Sequence, residues 1–284
     1  MQTTVAPARS GKKKSPTFPL LRKPDTPTPR ETRAALFGRA KRPAVPLRKI
    51  FVQKRMEEPD RTSVLAPFVT AGDLRGLRAY LMILAASANT DDNGWHTKLD
   101  SLVWARLFGT TDHATDAAAR TAAWRTMERL AKKKLIHCER VPGSRKVSVV
   151  LLREDASGED YTRPGINGNN DAYLQIPIKL WTTGTDEKLN LPGMAMMLSI
   201  CAERDWRAFP AEQMPKWYGW SADTTERGLK NLTELKLIRR RERYRKTPLS
   251  PVGFTAQFEY RRSGALVLPA PRTRVKTSET DRVQ

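Results

Sequence analysis

Two stretches of this chain repeat one order of elements, and that repeat constrains the fold more than any other feature. Each begins with a Leu-x-Gly at a helix start, Leu74 to Gly76 and Leu191 to Gly193. Each carries a tryptophan after its first helix, Trp95 and Trp206. Each closes a second helix on an aromatic-glycine pair, Phe108-Gly109 and Tyr218-Gly219. Each third helix ends in a Leu-Ile that opens a strand, Leu135-Ile136 and Leu237-Ile238. Two copies are too few for a fixed-period solenoid, so the pattern points to two similar units in tandem.

Within the first unit, residues 61–155, "DLRGLRAYLMILAASA" sets Leu74, Leu77, Leu81 and Leu84 at helical spacing, with Asp73 as the cap. The stretch "WHTKLDSLVWARLFG" predicts a shorter helix on Leu99, Leu102 and Leu107, ending at Gly109, and Thr110 or Thr111 opens the next element. The alanine-rich "ATDAAARTAAWRTMERLAKKK" predicts a helix whose inner face holds Ala123, Met127 and Leu130. "LIHCERVPGSRKVSVVLLRE" reads as two strands around a Pro-Gly turn. Residues 156–171, rich in Gly, Asn and Asp, read as a linker. The second unit, residues 172–264, repeats the order, with Pro192 in the first turn of its opening helix, where proline is tolerated. A flexible tail is expected over 265–284.

Three helices followed by a β-hairpin is the order of a winged helix-turn-helix. The expected fold class is therefore mainly α with small β-hairpins (α+β), as two tandem winged helix-turn-helix domains. Residues 1–60 differ from the rest: nine prolines interrupt them, and basic clusters recur at "GKKK", "RAKRP" and "LRK". That composition predicts a disordered, basic, Pro-rich arm. It would add non-specific phosphate contacts, serve as a solubilising tail, or act as an organelle transit peptide.

The charge indicates what such units would meet. Lys and Arg total 51 against 30 for Asp and Glu, a net charge of +21 with a pI near 10.4. An excess of that size favours polyanionic partners, nucleic acid first. Gly219 lets the backbone turn into the third helix of the second unit, and Ser221 can cap that helix by accepting from an early amide. Thr225, Leu229 and Leu232 should then pack inward, leaving Thr224, Arg227, Lys230 and Asn231 outward as base readers, since Arg and Asn can bond guanine and adenine in pairs of contacts. In the first unit Thr121, Arg125, Arg129 and Lys132 point out in the same way. On the hairpins, Arg239, Arg241, Arg243 and Arg245 share one side of a strand, and Arg145 and Lys146 sit at the other turn. These six are candidate phosphate or minor-groove contacts, and each phosphate neutralised steepens the salt dependence of binding.

Other function classes lack their marks. No GxxxxGK[ST] loop is present to cradle nucleotide phosphates. The three histidines are far apart, the two cysteines (Cys138, Cys201) form no CxxC pair, and the carboxylates stand beside Lys or Arg. The chain reads as a non-enzyme with no cofactor or metal, in a reducing, cytoplasmic setting. The longest apolar run, "AYLMILAA", is far below the ~18 residues of a membrane span, and no apolar segment follows the basic N-terminus, so neither a membrane partner nor a secretory signal is expected.

The paired segments "LFGTT…RTAAWRTMERLAKKKLI" and "WYGWSADTTERGLKNLTELKLI", with their wings, resemble over about residues 61–262 the plasmid replication initiators that bind repeated origin sequences. The resemblance implies double-stranded DNA as partner, with Thr224, Arg227, Lys230 and Asn231 as principal readers. It further implies host replication proteins and a second copy of the chain as partners, one winged helix supporting dimerisation. The basic arm departs from that pattern. A transcriptional regulator built from the same parts, or a winged-helix module that binds proteins, fits the same residues.

Overall fold

Residues 25–54, 63–89, 94–165 and 171–268 are described by the computed structural model. Thr28 starts the first of these stretches with a reciprocal cap: its hydroxyl accepts from the Glu31 amide, and the Glu31 carboxylate accepts from the Thr28 amide. Helix α1 (Pro29–Phe37) follows, with proline at its first position, then strand β1 (Ala44–Arg48) and a 3-10 turn over Lys49–Phe51. Within the arm expected to be disordered over 1–60, these elements correct the expectation for residues 25–54; residues 1–24 and 55–60 lie outside the described residues. Phe37, Val45, Leu47 and Phe51 are buried, and Phe37 packs on Trp181 with ring centroids 5.1 Å apart. Two of the prolines that suggested disorder, Pro29 and Pro46, sit where they do no harm, at a helix start and in a two-stranded sheet. The "GKKK" cluster lies outside the described residues, as does the chain beyond residue 268.

The first unit runs α2 (Ala66–Thr70), α3 (Leu74–Ala86), β2 (Ala88–Asn89), β3 (Trp95–Asp100), α4 (Ser101–Leu107), α5 (Asp116–Lys132), β4 (Ile136–Arg140) and β5 (Lys146–Leu151). Asp73 caps α3 by accepting from the Gly76 amide. The stretch expected as one helix from Trp95 splits in two. Residues 95–100 form a strand that pairs with β5 from His96 to Asp100, placing Leu99 opposite Val147, and the Asp100 carboxylate then caps α4 by accepting from the Leu102 amide. The next cap is Thr115 rather than Thr110 or Thr111. Thr110 is buried instead, its hydroxyl donating to the Ala105 and Ala119 carbonyls and so tying α4 to α5.

The second unit runs β6 (Tyr173–Pro177), α6 (Lys179–Thr182), α7 (Thr185–Lys188), α8 (Leu191–Ala202), β7 (Arg207–Ala208), α9 (Met214–Tyr218), α10 (Ala222–Glu234), β8 (Ile238–Lys246) and β9 (Phe254–Arg262). The fold is thus mixed α and β, with small antiparallel sheets in the orders β1-β6, β2-β3-β5-β4 and β7-β9-β8. In both units a strand lies between the first and second repeat helices and pairs with the unit's last strand, which stands in the middle. No helix among the described residues is long and apolar enough to cross a membrane.

The repeated Leu-Ile has a backbone cause. After α5 and α10 the chain turns through Lys134 and Lys236, both left-handed at φ 56°. The Leu135 and Leu237 amides then donate back to the Leu130 and Leu232 carbonyls, and both leucines are buried. This is the Schellman geometry that ends a helix and turns it into the next strand. Gly219, at φ 82°, makes the corresponding turn between α9 and α10.

The two units share one hydrophobic cluster, and the N-terminal segment binds both. Strand β1 pairs with β6 of the second unit, Leu47 facing Leu174. From α1, the buried Arg33 donates to the Leu107 carbonyl of α4 at 2.8 Å and to the Glu187 carboxylate of α7 at 2.8 Å, with Asp186 at 3.3 Å. From β1, the buried Arg48 donates to the buried Glu154 carboxylate beyond β5, to Asp171, and to the Thr162 carbonyl at 2.6 Å. The linker expected over 156–171 is therefore held at Thr162 and Asp171, and its Tyr161 is buried. Leu266, expected in a flexible tail, is buried too.

Candidate nucleic-acid interface

Helix α5 presents one face to the core through Ala119, Ala123, Met127 and Leu130. Thr121, Arg125 and Lys132 lie on its exposed side, with Glu128 among them. The Thr121 hydroxyl donates to the Ala117 carbonyl one turn back. Arg129 turns aside, its guanidinium 3.2 Å from the Asp73 carboxylate at the start of α3.

Beside this face a groove of about 370 Å³ separates α5 from the β4-β5 hairpin. Its walls bring Thr121, Arg145 and Lys146 together with Arg120, Trp124 and Arg140. The Arg140 guanidinium lies over the Trp124 ring at 4.5 Å. Arg120 is held by Asp100 at 3.0 Å and by the Ser101 hydroxyl at 2.5 Å. Arg145 and Lys146 are exposed at the entry to β5. The groove therefore offers four cations, one of them neutralised by Asp100, along with an indole face and hydroxyls. Such a wall can bond phosphate oxygens and stack against a planar group.

In the second unit Ser221 caps α10, its hydroxyl accepting from the Thr224 amide at 3.2 Å. The Thr224 hydroxyl stays within 3.1 Å of Ser221. Thr225, Gly228 and Leu232 are buried against the core. Arg227 is exposed and pairs with Asp223 at 2.9 Å. Lys230 lines a shallow groove facing Arg240 and Phe258 of the hairpin. Asn231 departs from its expected outward orientation. Its amide oxygen accepts from the Asn190 backbone at 3.1 Å and its amide nitrogen donates to the Lys188 carbonyl at 3.4 Å. The close crossing of α10 with α8 draws this side chain onto the α7-α8 connection, so it ties helices together.

The two third helices also differ in charge. Helix α5 carries Arg120, Arg125, Arg129 and Lys132 against Asp116 and Glu128, whereas α10 carries Arg227 and Lys230 against Asp223, Glu226 and Glu234. The second unit keeps its positive charge in its hairpin instead. Strand register places Arg239 opposite Arg261, Arg241 opposite Glu259, Arg243 opposite Gln257 and Arg245 opposite Thr255, all on one face. Arg241 donates twice to the Glu259 carboxylate, at 2.8 and 2.6 Å, and Arg243 donates once, at 3.1 Å. The Arg241 hydrogen bond is the main cause that holds the Glu259 carboxyl below its usual range. The Arg241 and Arg261 guanidinium groups both lie over Trp206, at 4.5 and 4.9 Å. Arg239 and Arg245 are exposed.

Trp124, Arg140 and Arg120 escaped sequence reading. Trp124 is separated from Arg140 by a helix end and a strand, and only the return of β4 along α5 brings them together. Among the described residues no group of three His, Cys, Asp or Glu side chains is placed to hold a metal ion. Comparisons of the chain with protein-family models, curated proteins and solved structures find no match.

Proposed function

We propose that this protein binds double-stranded DNA, with each unit acting as a winged helix-turn-helix. The observation that carries the reading is the basic groove between α5 and the β4-β5 hairpin, with Arg140, Arg145 and Lys146 beside the exposed Thr121, Arg125 and Lys132. In a helix-turn-helix the last helix enters the major groove and its exposed side chains meet base edges. Here α5 takes that part, with Arg125 as reader and Arg145 and Lys146 on the phosphates. The second unit adds its arginine ribbon, where Arg239 and Arg245 contact the backbone. Arg241 and Arg243 hold their charge near it through Glu259.

The repeated element order supports the reading, because each unit places a strand between its first two repeat helices and a hairpin after its third. The shared core fixes the two units relative to one another, which suits a DNA site with two neighbouring half-sites at fixed spacing. That property supports replication initiation at origin repeats as the narrower reading. The charge balance of α10 favours sequence reading by the first unit over reading by Thr224 and Arg227.

The test is to incubate the purified protein with fragmented DNA of its host and replicons at moderate salt and to sequence what is retained. One locus rich in direct repeats supports initiation. Inverted repeats upstream of several genes support a transcriptional regulator. Retention with no enriched sequence overturns base reading by α5, and no retention overturns DNA binding.

A further inference from the structure

The β8-β9 ribbon has a second face. From Arg239 to Lys246 every residue of β8 is exposed, as are Phe254, Thr255, Ala256 and Phe258 of β9, while Glu259 is buried where β7 joins the ribbon's base. The face opposite the arginine stripe carries Phe254 beside Lys246, then Tyr244 beside Ala256, then Phe258 beside Glu242, on three successive rungs. Rungs on one face of a strand pair are about 7 Å apart, so the three rings span about 14 Å. They are large, apolar and open: Tyr244 is 61% exposed, Phe254 47% and Phe258 46%. Tyr244 and Phe254 meet edge to face at 5.4 Å, and the Arg240 guanidinium lies 4.5 Å over Phe258.

The Tyr244–Phe254 pair and the Arg240 cap on Phe258 stabilise the hairpin, yet about half of each ring is left open to solvent. A second protein surface is the other occupant an apolar face would suit. The cations decide between them. Arg240 and Lys246 flank the rings on the same face with one ribbon carboxylate, Glu242; Lys230, Asp223, Glu226 and Glu234 of α10 line the groove at the Phe258 end, and the opposite face adds a stripe of arginines. Aromatic rings interleaved with cations along an exposed strand pair match unpaired bases joined by phosphates.

We propose that this face binds single-stranded nucleic acid, with Tyr244, Phe254 and Phe258 stacking on bases and Arg240 and Lys246 contacting phosphates. The inference goes beyond duplex binding and uses different residues, so the two can fail separately.

The experiment measures anisotropy of labelled oligothymidylate, oligouridylate and a mixed-sequence duplex with the full chain at moderate salt. The parent protein is expected to bind a single strand. Phe254→Val with Phe258→Val, which keeps strand-forming side chains, is expected to weaken that binding about tenfold or more while duplex affinity holds. Phe254→Trp with Phe258→Trp is expected to bind single strands at least as tightly as the parent, and this pair keeps the test decisive if the valine pair folds poorly. Tighter binding of oligouridylate supports the proposal with RNA as the source, and tighter oligothymidylate supports it with DNA. The proposal is overturned if the parent binds neither single strand, if the valine pair binds them unchanged, or if the tryptophan pair binds more weakly. It is also overturned if the valine substitutions dissociate a dimer in sedimentation without changing single-strand affinity, since the face would then join two copies.

Discussion

Gly228→Ala tests the helix crossing that positions α10 and the ribbon behind it. A glycine in mid-helix normally costs about 1 kcal/mol relative to alanine, so the substitution on an isolated helix would be stabilising. In the fold the added Cβ would stand 2.4 Å from the Pro192 carbonyl oxygen, 2.6 Å from the Met196 Cγ and 2.8 Å from the Pro192 carbonyl carbon. The first distance is about 1 Å inside ordinary contact, and it is made by backbone that cannot rotate away. Overpacking of this kind costs about 1–3 kcal/mol, with rigid backbone neighbours towards the upper end. Set against the helix gain, the net loss is about 1–2 kcal/mol. For a chain of this size each kcal/mol moves Tm by about 2–4 °C, so the midpoint should fall by about 2–8 °C. Scanning calorimetry of Gly228→Ala beside Arg227→Ala reads this directly. Arg227, one residue away and exposed, should change stability by no more than about 0.5 kcal/mol. A Tm for Gly228→Ala equal to or above the parent's would refute the close crossing of α8 and α10.

Arg48→Met leaves the buried Glu154 carboxylate without its main partner and should cost about 3–5 kcal/mol by denaturant titration, with much of that recovered by adding Glu154→Leu. Burial raises the Asp186 carboxyl to about 6 in the fold from an ordinary 3.8, against the pull of Arg33, so the native state binds a proton there that the unfolded chain has lost. Stability from this group is therefore full below about pH 4 and declines as the pH rises to about 6. Asp186→Asn should flatten the stability profile across that window, and an unchanged slope would count against the burial. Asn231→Ala should lower stability by about 1 kcal/mol through its two lost backbone bonds and leave duplex affinity unchanged, read by thermal unfolding and anisotropy together.

The sequence made the repeat legible because its markers are local. Asp73 and Ser221 cap helices, Gly219 turns the chain, and the Leu-Ile pairs follow left-handed lysines, all within a few residues of the helix ends they mark. Strand β3 stayed hidden because Leu99 falls at helical spacing with Leu102, and only pairing with β5 reveals that the helix starts two residues later. The N-terminal clasp was obscured by its prolines, although Pro29 and Pro46 occupy positions that tolerate them. Arg33 and Arg48 looked like arm charge, and their carboxylate partners lie more than a hundred residues away. At the candidate site, a helical wheel sorts Arg125 and Lys132 outward correctly but cannot see the neighbours that draw Arg129 to Asp73 and Asn231 to Asn190. The groove of Trp124 and Arg140 depends on tertiary return of a strand, which no local pattern encodes.

The central claim is that cations around α5 and its hairpin hold duplex DNA. Its most direct test is equilibrium binding of a duplex at a series of salt concentrations, for the parent and for Arg145→Ala with Lys146→Ala. The account expects the logarithm of the parent's affinity to fall linearly with the logarithm of salt, and the double substitution to lower that slope by about two. A slope unchanged by the substitutions, or an affinity indifferent to salt, would contradict it.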